Sequence, residues 1–117
     1  MERTYTLWEY SQEPDTKLHT IYIAGMVSRL PYSVAWKRFE NARKRLESEG
    51  FVRVCNPMSV CNRSWEYERC MRRCLEIILD SDTKAVYMTR WWWLSRGARL
   101  ERKVARTIGL AIIYERI

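Results

Sequence analysis

The chain has 117 residues, of which 47% are hydrophobic, and it contains only 4 Gly and 3 Pro. This length and composition are typical of one globular domain over residues 1–117, and they exclude a disordered or fibrous chain. Because 21 Lys and Arg residues face 14 Asp and Glu residues, the formal net charge is +7. Such a surplus attracts phosphates, nucleic acid and acidic proteins alike, so the net charge alone does not identify a binding partner.

Membrane and export signals are not apparent in the sequence. Uncharged apolar stretches are far shorter than the roughly 18 residues that a spanning helix needs, and the first residues lack the apolar segment of a signal peptide. We therefore expect a cytoplasmic protein without a membrane partner.

Four cysteines are expected to stay reduced in that compartment. They are Cys55, Cys61, Cys70 and Cys74. Since neither pair has the Cys-x-x-Cys spacing of a structural zinc site, we expect buried thiols, no metal site and no cofactor, with zinc as the lesser alternative.

The first half of the chain contains two predicted strands, a helix and an N-terminal segment. Thr, Tyr and Trp alternate from Thr4 to Tyr10 and predict a short strand or arm within residues 1–16. The apolar segment 19–24 before Gly25 predicts the first core strand. Apolar residues spaced by four, three and four predict a helix over residues 33–49. A second strand over 51–54 and a loop to residue 62 follow.

The second half of the chain continues the alternation. Ser64 is a candidate N-cap for a helix that ends near Leu79. The predicted buried stripe of this helix is Tyr67, Met71, Cys74, Leu75 and Ile78. A third strand over 85–88, a loop over 91–94, a helix over 95–108 and a closing strand over 110–114 complete the order. This order predicts a flavodoxin-like or Rossmann-like α/β domain of three layers, with a mainly parallel sheet of four to five strands. Ligands of such sheets bind beyond the C-terminal strand ends.

Glu101 interrupts the apolar stripe of the last predicted helix. Ala98, Ala105 and Ile108 form that stripe, and Glu101 occupies its missing position. One interpretation is a carboxylate at the edge of the stripe that pairs with a cation such as Arg73. The other is a catalytic carboxylate that faces a pocket at the start of the helix.

The residues just before Glu101 are of types that bind anions. Ser95 can cap the helix and, with the free amides behind it, hold a phosphate. Gly97 permits close approach of the backbone. The guanidinium group of Arg96 or Arg29 would favour a 5′-phosphate.

Three successive tryptophans occupy the loop at the expected ligand edge. Their rings suit stacking on a base, core packing or a subunit contact. We expect at least one of Trp91, Trp92 and Trp93 to be buried.

Several motifs occur in one order over residues 21–115. They are Ile21-Tyr22-Ile23-Ala24-Gly25 before Leu30-Pro31, Asn56-Pro57 after the second strand, and Trp93 to Ser95 followed by Arg96-Gly97-Ala98-Arg99-Leu100-Glu101. With these motifs the chain resembles the nucleoside 2-deoxyribosyltransferase-like superfamily, and within it a small uncharacterised branch that is frequent in phages and prophages. A phage-encoded chain would act in the host cytoplasm.

The resemblance implies roles for individual residues. In characterised relatives the glutamate matching Glu101 is the nucleophile, the tyrosine matching Tyr22 lines the sugar pocket, and the serine matching Ser95 contacts substrate. The position of their assisting aspartate falls at Cys74. The resemblance also implies a homo-oligomer, a dimer or larger. The candidate substrate-binding residues are Gly25, Ser28, Arg29, Asn56, Trp93, Ser95, Arg96 and Gly97.

The expected function is to bind a nucleotide or deoxynucleoside and to hydrolyse or transfer its base. That reaction needs a carboxylate at the anomeric carbon and an acid for the leaving base. Asp80 and Asp82 are candidates for the acid, although both also suit an ordinary turn. The alternative is a non-catalytic phage accessory protein that sequesters a nucleotide signal or inhibits a host protein or nucleic-acid complex. Cys74 and the net charge favour this alternative.

Overall fold

One parallel sheet organises the computed structural model, which describes residues 2–116. Within these residues the sheet has five strands in the order β1-β5-β4-β2-β3, and all neighbours are parallel. The strands are β1 (Arg3–Tyr5), β2 (Thr20–Ala24), β3 (Arg53–Cys55), β4 (Thr83–Met88) and β5 (Ala111–Tyr114). The helices are α1 (Leu7–Gln12), α2 (Tyr32–Ser48), α3 (Pro57–Val60), α4 (Tyr67–Leu79) and α5 (Arg96–Thr107). The predicted flavodoxin-like α/β fold is confirmed.

The two faces of the sheet bury different helices. Along β2, Ile21 and Ile23 pack in the cluster with α2, whereas Tyr22 and Ala24 pack on the opposite face, as the two-residue period of a strand requires. The predicted apolar stripe of α2 is fully buried, and its members are Ala35, Phe39, Ala42 and Leu46. Helices α4 and α5 cover the other face.

The strand order places a crevice between β2 and β4. The chain leaves β2 to form β3 on one side and then returns to form β4 on the other side. At such a reversal the two connections diverge, which leaves a crevice beyond the C-terminal strand ends where ligands of open α/β sheets bind.

The predicted strand or arm from Thr4 to Tyr10 is wrong in its second half. Only Arg3–Tyr5 is strand, and it pairs with β5 at the edge of the sheet. Thr6 Oγ1 accepts a hydrogen bond from the Glu9 amide at 3.1 Å, and the Glu9 carboxylate accepts one from the Thr6 amide at 2.9 Å. This reciprocal capping box begins helix α1 and overrides the alternating pattern.

Other boundaries also differ from the prediction. The loop predicted after Pro57 contains α3, because the Asn56 side chain accepts from the Met58 amide at 2.9 Å and Pro57 occupies the first helical turn. Helix α4 begins at Tyr67 rather than at Ser64, whose hydroxyl instead donates to Asn62 at 2.8 Å. Ile108 lies beyond the end of α5 and is exposed, so it is not part of a buried stripe.

The expectation of four reduced cysteines is wrong for two of them. Cys61 and Cys70 form a disulfide that joins the end of α3 to α4, while Cys55 and Cys74 are free.

No helix formed within residues 2–116 has the length and apolar character required to cross a membrane.

Candidate functional site

A cavity of about 430 Å³ lies beyond the C-terminal ends of β2 and β4, between α4 and α5. Its volume falls within the range of small-molecule sites, which is roughly 300–1,000 Å³. Seven of the predicted site residues line it. They are Tyr22, Gly25, Ser28, Ser95, Arg96, Gly97 and Glu101.

The Glu101 carboxyl is buried in this cavity wall and is 5% exposed. The fully buried Tyr22 hydroxyl donates a hydrogen bond to Glu101 Oε2. No Lys, Arg or His of the described chain forms an ion pair with Glu101. The interpretation of Glu101 as a cation-paired residue at the edge of the stripe is therefore wrong.

Burial sets the protonation of this pair. It raises the pKa of Glu101 to about 8, against a smaller lowering by the Tyr22 hydrogen bond. Burial and the neighbouring Glu101 charge raise the pKa of Tyr22 well above its usual value. Glu101 therefore holds a proton at neutral pH and loses it near pH 8, which places its titration in the range where catalytic groups work.

Cys74 lies in the same wall and contacts Tyr22. Burial raises the pKa of its thiol to about 11, against a lowering by the neighbouring Tyr22 hydroxyl. A neutral thiol thus occupies the position at which the resemblance implies a carboxylate.

Ser95 and two glycines have clear packing roles at the cavity. Ser95 Oγ accepts from the Ala98 amide at 3.1 Å and so caps α5. A Cβ on Gly25 would lie 1.9 Å from Thr89 Oγ1, and one on Gly97 would lie 3.1 Å from Met71 Sδ. The two glycines therefore let neighbouring elements approach closely where the cavity wall forms.

Three predicted substrate-binding residues do not line the cavity. Asn56 is buried, but its side chain caps α3 and donates to Glu40 at 3.0 Å. Arg29 is exposed. Trp93 is 48% exposed and packs edge-on against Trp92.

Two further expectations about this region are wrong. None of the three successive tryptophans is buried, since Trp91 and Trp92 are only partly covered. Asp80 and Asp82 are exposed, and they precede β4. They therefore lie at the opposite edge of the sheet from the cavity, which excludes them as the acid for a leaving base there.

The mouth of the cavity contains arginine–aromatic pairs that sequence reasoning missed. The Arg63 guanidinium carbon lies 4.2 Å from the Tyr32 ring centroid, and that of Arg96 lies 4.5 Å from the Tyr67 ring centroid. Tyr67 was expected in the buried stripe of α4, but it is exposed at the first turn. The available signal was the alternation of Arg and aromatic residues over positions 63–69.

A family model matches residues 19–114 of the chain, and its description is a domain of unknown function, DUF4406. The chain belongs to the DUF4406 family. Comparisons with curated proteins and with solved structures give no match. The matched range runs from β2 through β5, so the whole cavity of this DUF4406 domain lies inside it.

The cavity wall of the DUF4406 domain also contains three cysteine sulfurs that could hold a metal. The Sγ atoms of Cys61, Cys70 and Cys74 lie within 4.8 Å of one another. The Cys-x-x-Cys criterion missed this cluster because the sulfurs come from two separate elements.

Proposed function

We propose that this DUF4406 domain binds a deoxynucleoside or its 5′-monophosphate and breaks the N-glycosidic bond with Glu101 as nucleophile. The observation that supports the proposal most strongly is the Glu101 carboxyl, buried at a cavity and bonded to Tyr22 without an ion-pair partner in residues 2–116. Burying such a group costs folding free energy. Its place beside a cavity at the strand-order reversal favours a chemical role.

The mouth of the cavity suits a nucleotide. Arg63 and Arg96 provide positive charge for a phosphate, and the free amides at the start of α5 add to it. Tyr32 and Tyr67 provide aromatic rings beside these cations, and such rings stack on bases. The oxygen-rich sugar would then lie deeper, toward Tyr22 and Glu101.

In the proposed reaction, one Glu101 carboxylate oxygen forms a bond to the anomeric carbon. The bond from that carbon to the base breaks, and its electron pair leaves with the base, which takes up a proton from a water molecule. Tyr22 holds Oε2 and thereby orients the other oxygen for attack. Water then resolves the glycosyl ester as hydrolysis, or a second base resolves it as transfer.

A second candidate is a non-catalytic protein that sequesters a nucleotide. Glu101 is the one acidic residue among the described residues that line the cavity, and the Cys74 thiol, with a pKa of about 11, is a poor acid. A leaving base therefore has no second carboxyl to protonate it. This observation favours tight binding without cleavage.

The deciding experiment incubates the protein with deoxynucleosides and their 5′-monophosphates and measures free base by chromatography. Glu101→Gln should lower base release by about 1,000-fold or more while ligand still binds, because an amide cannot attack the anomeric carbon. Glu76→Gln makes the same change on the exposed face of α4 and should leave the rate unchanged. Tight binding without base release by the native chain would favour sequestration instead.

Two further measurements define the roles of the site residues. If Glu101 is the nucleophile, base release at low substrate should rise with pH and level off above about 8, where the carboxyl is ionised. A rate that falls through the same pH range would make Glu101 the acid instead. Cys74→Asp should increase base release, because it supplies a carboxyl beside Tyr22.

A further inference from the structure

Three sulfur atoms meet in the cavity wall. Cys61 caps the C-terminal end of α3, while Cys70 and Cys74 lie one turn apart on α4. Cys74 Sγ lies 3.7 Å from Cys61 Sγ and 4.0 Å from Cys70 Sγ. Within residues 2–116 this is the one group of three or more His, Cys, Asp or Glu side chains close enough to share an ion.

These separations match the spacing of sulfurs around a tetrahedral metal. Zinc–sulfur bonds of about 2.3 Å at tetrahedral angles place two sulfurs about 3.8 Å apart. Cys74 Sγ therefore already lies at this spacing from both neighbours. Cys61 and Cys70 are joined by a disulfide, and its reduction frees both sulfurs to bind the same ion.

We propose that the reduced protein binds one Zn²⁺ through the thiolates of Cys61, Cys70 and Cys74, with a fourth position open to the cavity. Thiolates select soft or borderline cations such as Zn²⁺ over Mg²⁺ or Ca²⁺. Three protein ligands with one open position are typical of zinc sites that hold water or a substrate atom. The site does not depend on the proposed nucleotide chemistry.

A phosphine is a suitable reductant for the Cys61–Cys70 disulfide. The phosphine gives two electrons to the sulfur–sulfur bond and becomes its oxide, taking the oxygen of one water molecule. The two protons of that water go to the sulfurs of Cys61 and Cys70. Binding of Zn²⁺ then releases three thiol protons, because thiolate is the form that binds the metal.

The test uses the full chain, reduced with a phosphine under exclusion of oxygen, and titrated with Co²⁺ as an optical probe and then with Zn²⁺. One Co²⁺ per chain should give sulfur-to-cobalt charge-transfer absorption, which one Zn²⁺ then abolishes. Cys61→Ser, Cys70→Ser and Cys74→Ser should each weaken Zn²⁺ binding by at least about 100-fold, because loss of a direct ligand exceeds loss of an outer partner. Cys55→Ser is the matched control and should bind as the native chain does.

A measurement on the unsubstituted chain covers variants that do not fold. Zn²⁺ should protect Cys61, Cys70 and Cys74 of the reduced chain from alkylation, measured by peptide mass spectrometry, and should leave the reaction of Cys55 unchanged. The proposal is overturned if the reduced native chain binds no Zn²⁺, if binding gives no such protection, or if a folded Cys74→Ser chain binds Zn²⁺ with native affinity.

Discussion

The two faces of the sheet share the same strands and bury different chemistry. On the face covered by α2, β2 contributes Ile21 and Ile23, which pack with the apolar stripe that includes Leu46. On the opposite face the next residue of the same strand, Tyr22, donates to the buried Glu101 carboxyl. Both faces bury an apolar cluster that stabilises the fold. The face covered by α4 and α5 also holds the Glu101 carboxyl, whose burial opposes folding.

A large loss of stability at every pH is expected on the α2 face. Leu46→Ala should lower the free energy of unfolding by about 2–5 kcal/mol, because it removes buried methyl groups and leaves a cavity. Urea unfolding followed by tryptophan fluorescence measures this change, and affinity for a deoxynucleoside monophosphate should stay native. Leu79→Ala, at a side chain that is 58% exposed, should change stability by no more than about 0.5 kcal/mol. Similar losses in the two variants would contradict the assignment of the α2 face.

On the opposite face, Glu101→Gln should make the protein more stable at high pH. The folded pKa of Glu101, about 8, exceeds its ordinary value of 4.5. The stability that Glu101 contributes is therefore present below about pH 4.5 and is lost as pH rises toward 8. Above pH 8 the native chain buries an ionised carboxylate and the variant does not, which favours the variant by about 4–5 kcal/mol relative to their difference at pH 4.

Urea unfolding of both chains from pH 4 to pH 9 measures this difference. Glu76→Gln, a change on an exposed ion-paired side chain, should show no comparable dependence on pH. A Glu101→Gln chain that is less stable than the native chain at pH 9 would show that the ionised carboxylate has a compensating partner, and the two faces would then not differ as described.

The smallest expected effect is at Ser95, which caps α5 and also lines the cavity. Ser95→Ala should lower the free energy of unfolding by about 1 kcal/mol, because α5 loses its N-cap. It should also weaken binding of a deoxynucleoside monophosphate, which calorimetry measures. Ser95→Thr retains a hydroxyl and should restore most of both losses. If Ser95→Ala loses stability and binds with native affinity, then Ser95 is a helix cap and not a ligand contact.

Local patterns were sufficient to predict most of the core of this fold. The spacing of Phe39 and Leu46 predicted α2, and the compact apolar run that includes Tyr22 predicted β2, because burial on a regular element leaves its period in the sequence. The same reasoning placed Glu101 on the buried side of α5. The resemblance assigned Tyr22 to the same pocket, whereas the spacing of apolar residues does not show a partner that lies 79 residues away.

Features that depend on particular hydrogen bonds or on distant contacts could not be predicted from periodicity. The alternation after Thr4 indicated a strand, yet the capping box of Thr6 and Glu9 begins a helix there. The Cys61–Cys70 disulfide depends on how α3 meets α4, which residue spacing does not show. The arginine–aromatic pairs at the mouth of the cavity were not predicted. The spacing of Tyr67 indicated a buried stripe of α4, and spacing along one helix does not show the contact with Arg96 on α5.

The position of β1 has a consequence for the order of folding. Arg3 donates to the Gly109 carbonyl at 3.0 Å across 106 residues of chain, and within residues 2–116 β1 pairs with no strand of the sheet other than β5. Because the entropy of closing a loop becomes more costly with its length, β1 should join the sheet after the transition state has formed around the central strands. Substitutions in β1 should then speed unfolding and leave the folding rate nearly unchanged. On this expectation, the edge strand would set how long the native state persists rather than how fast it is reached.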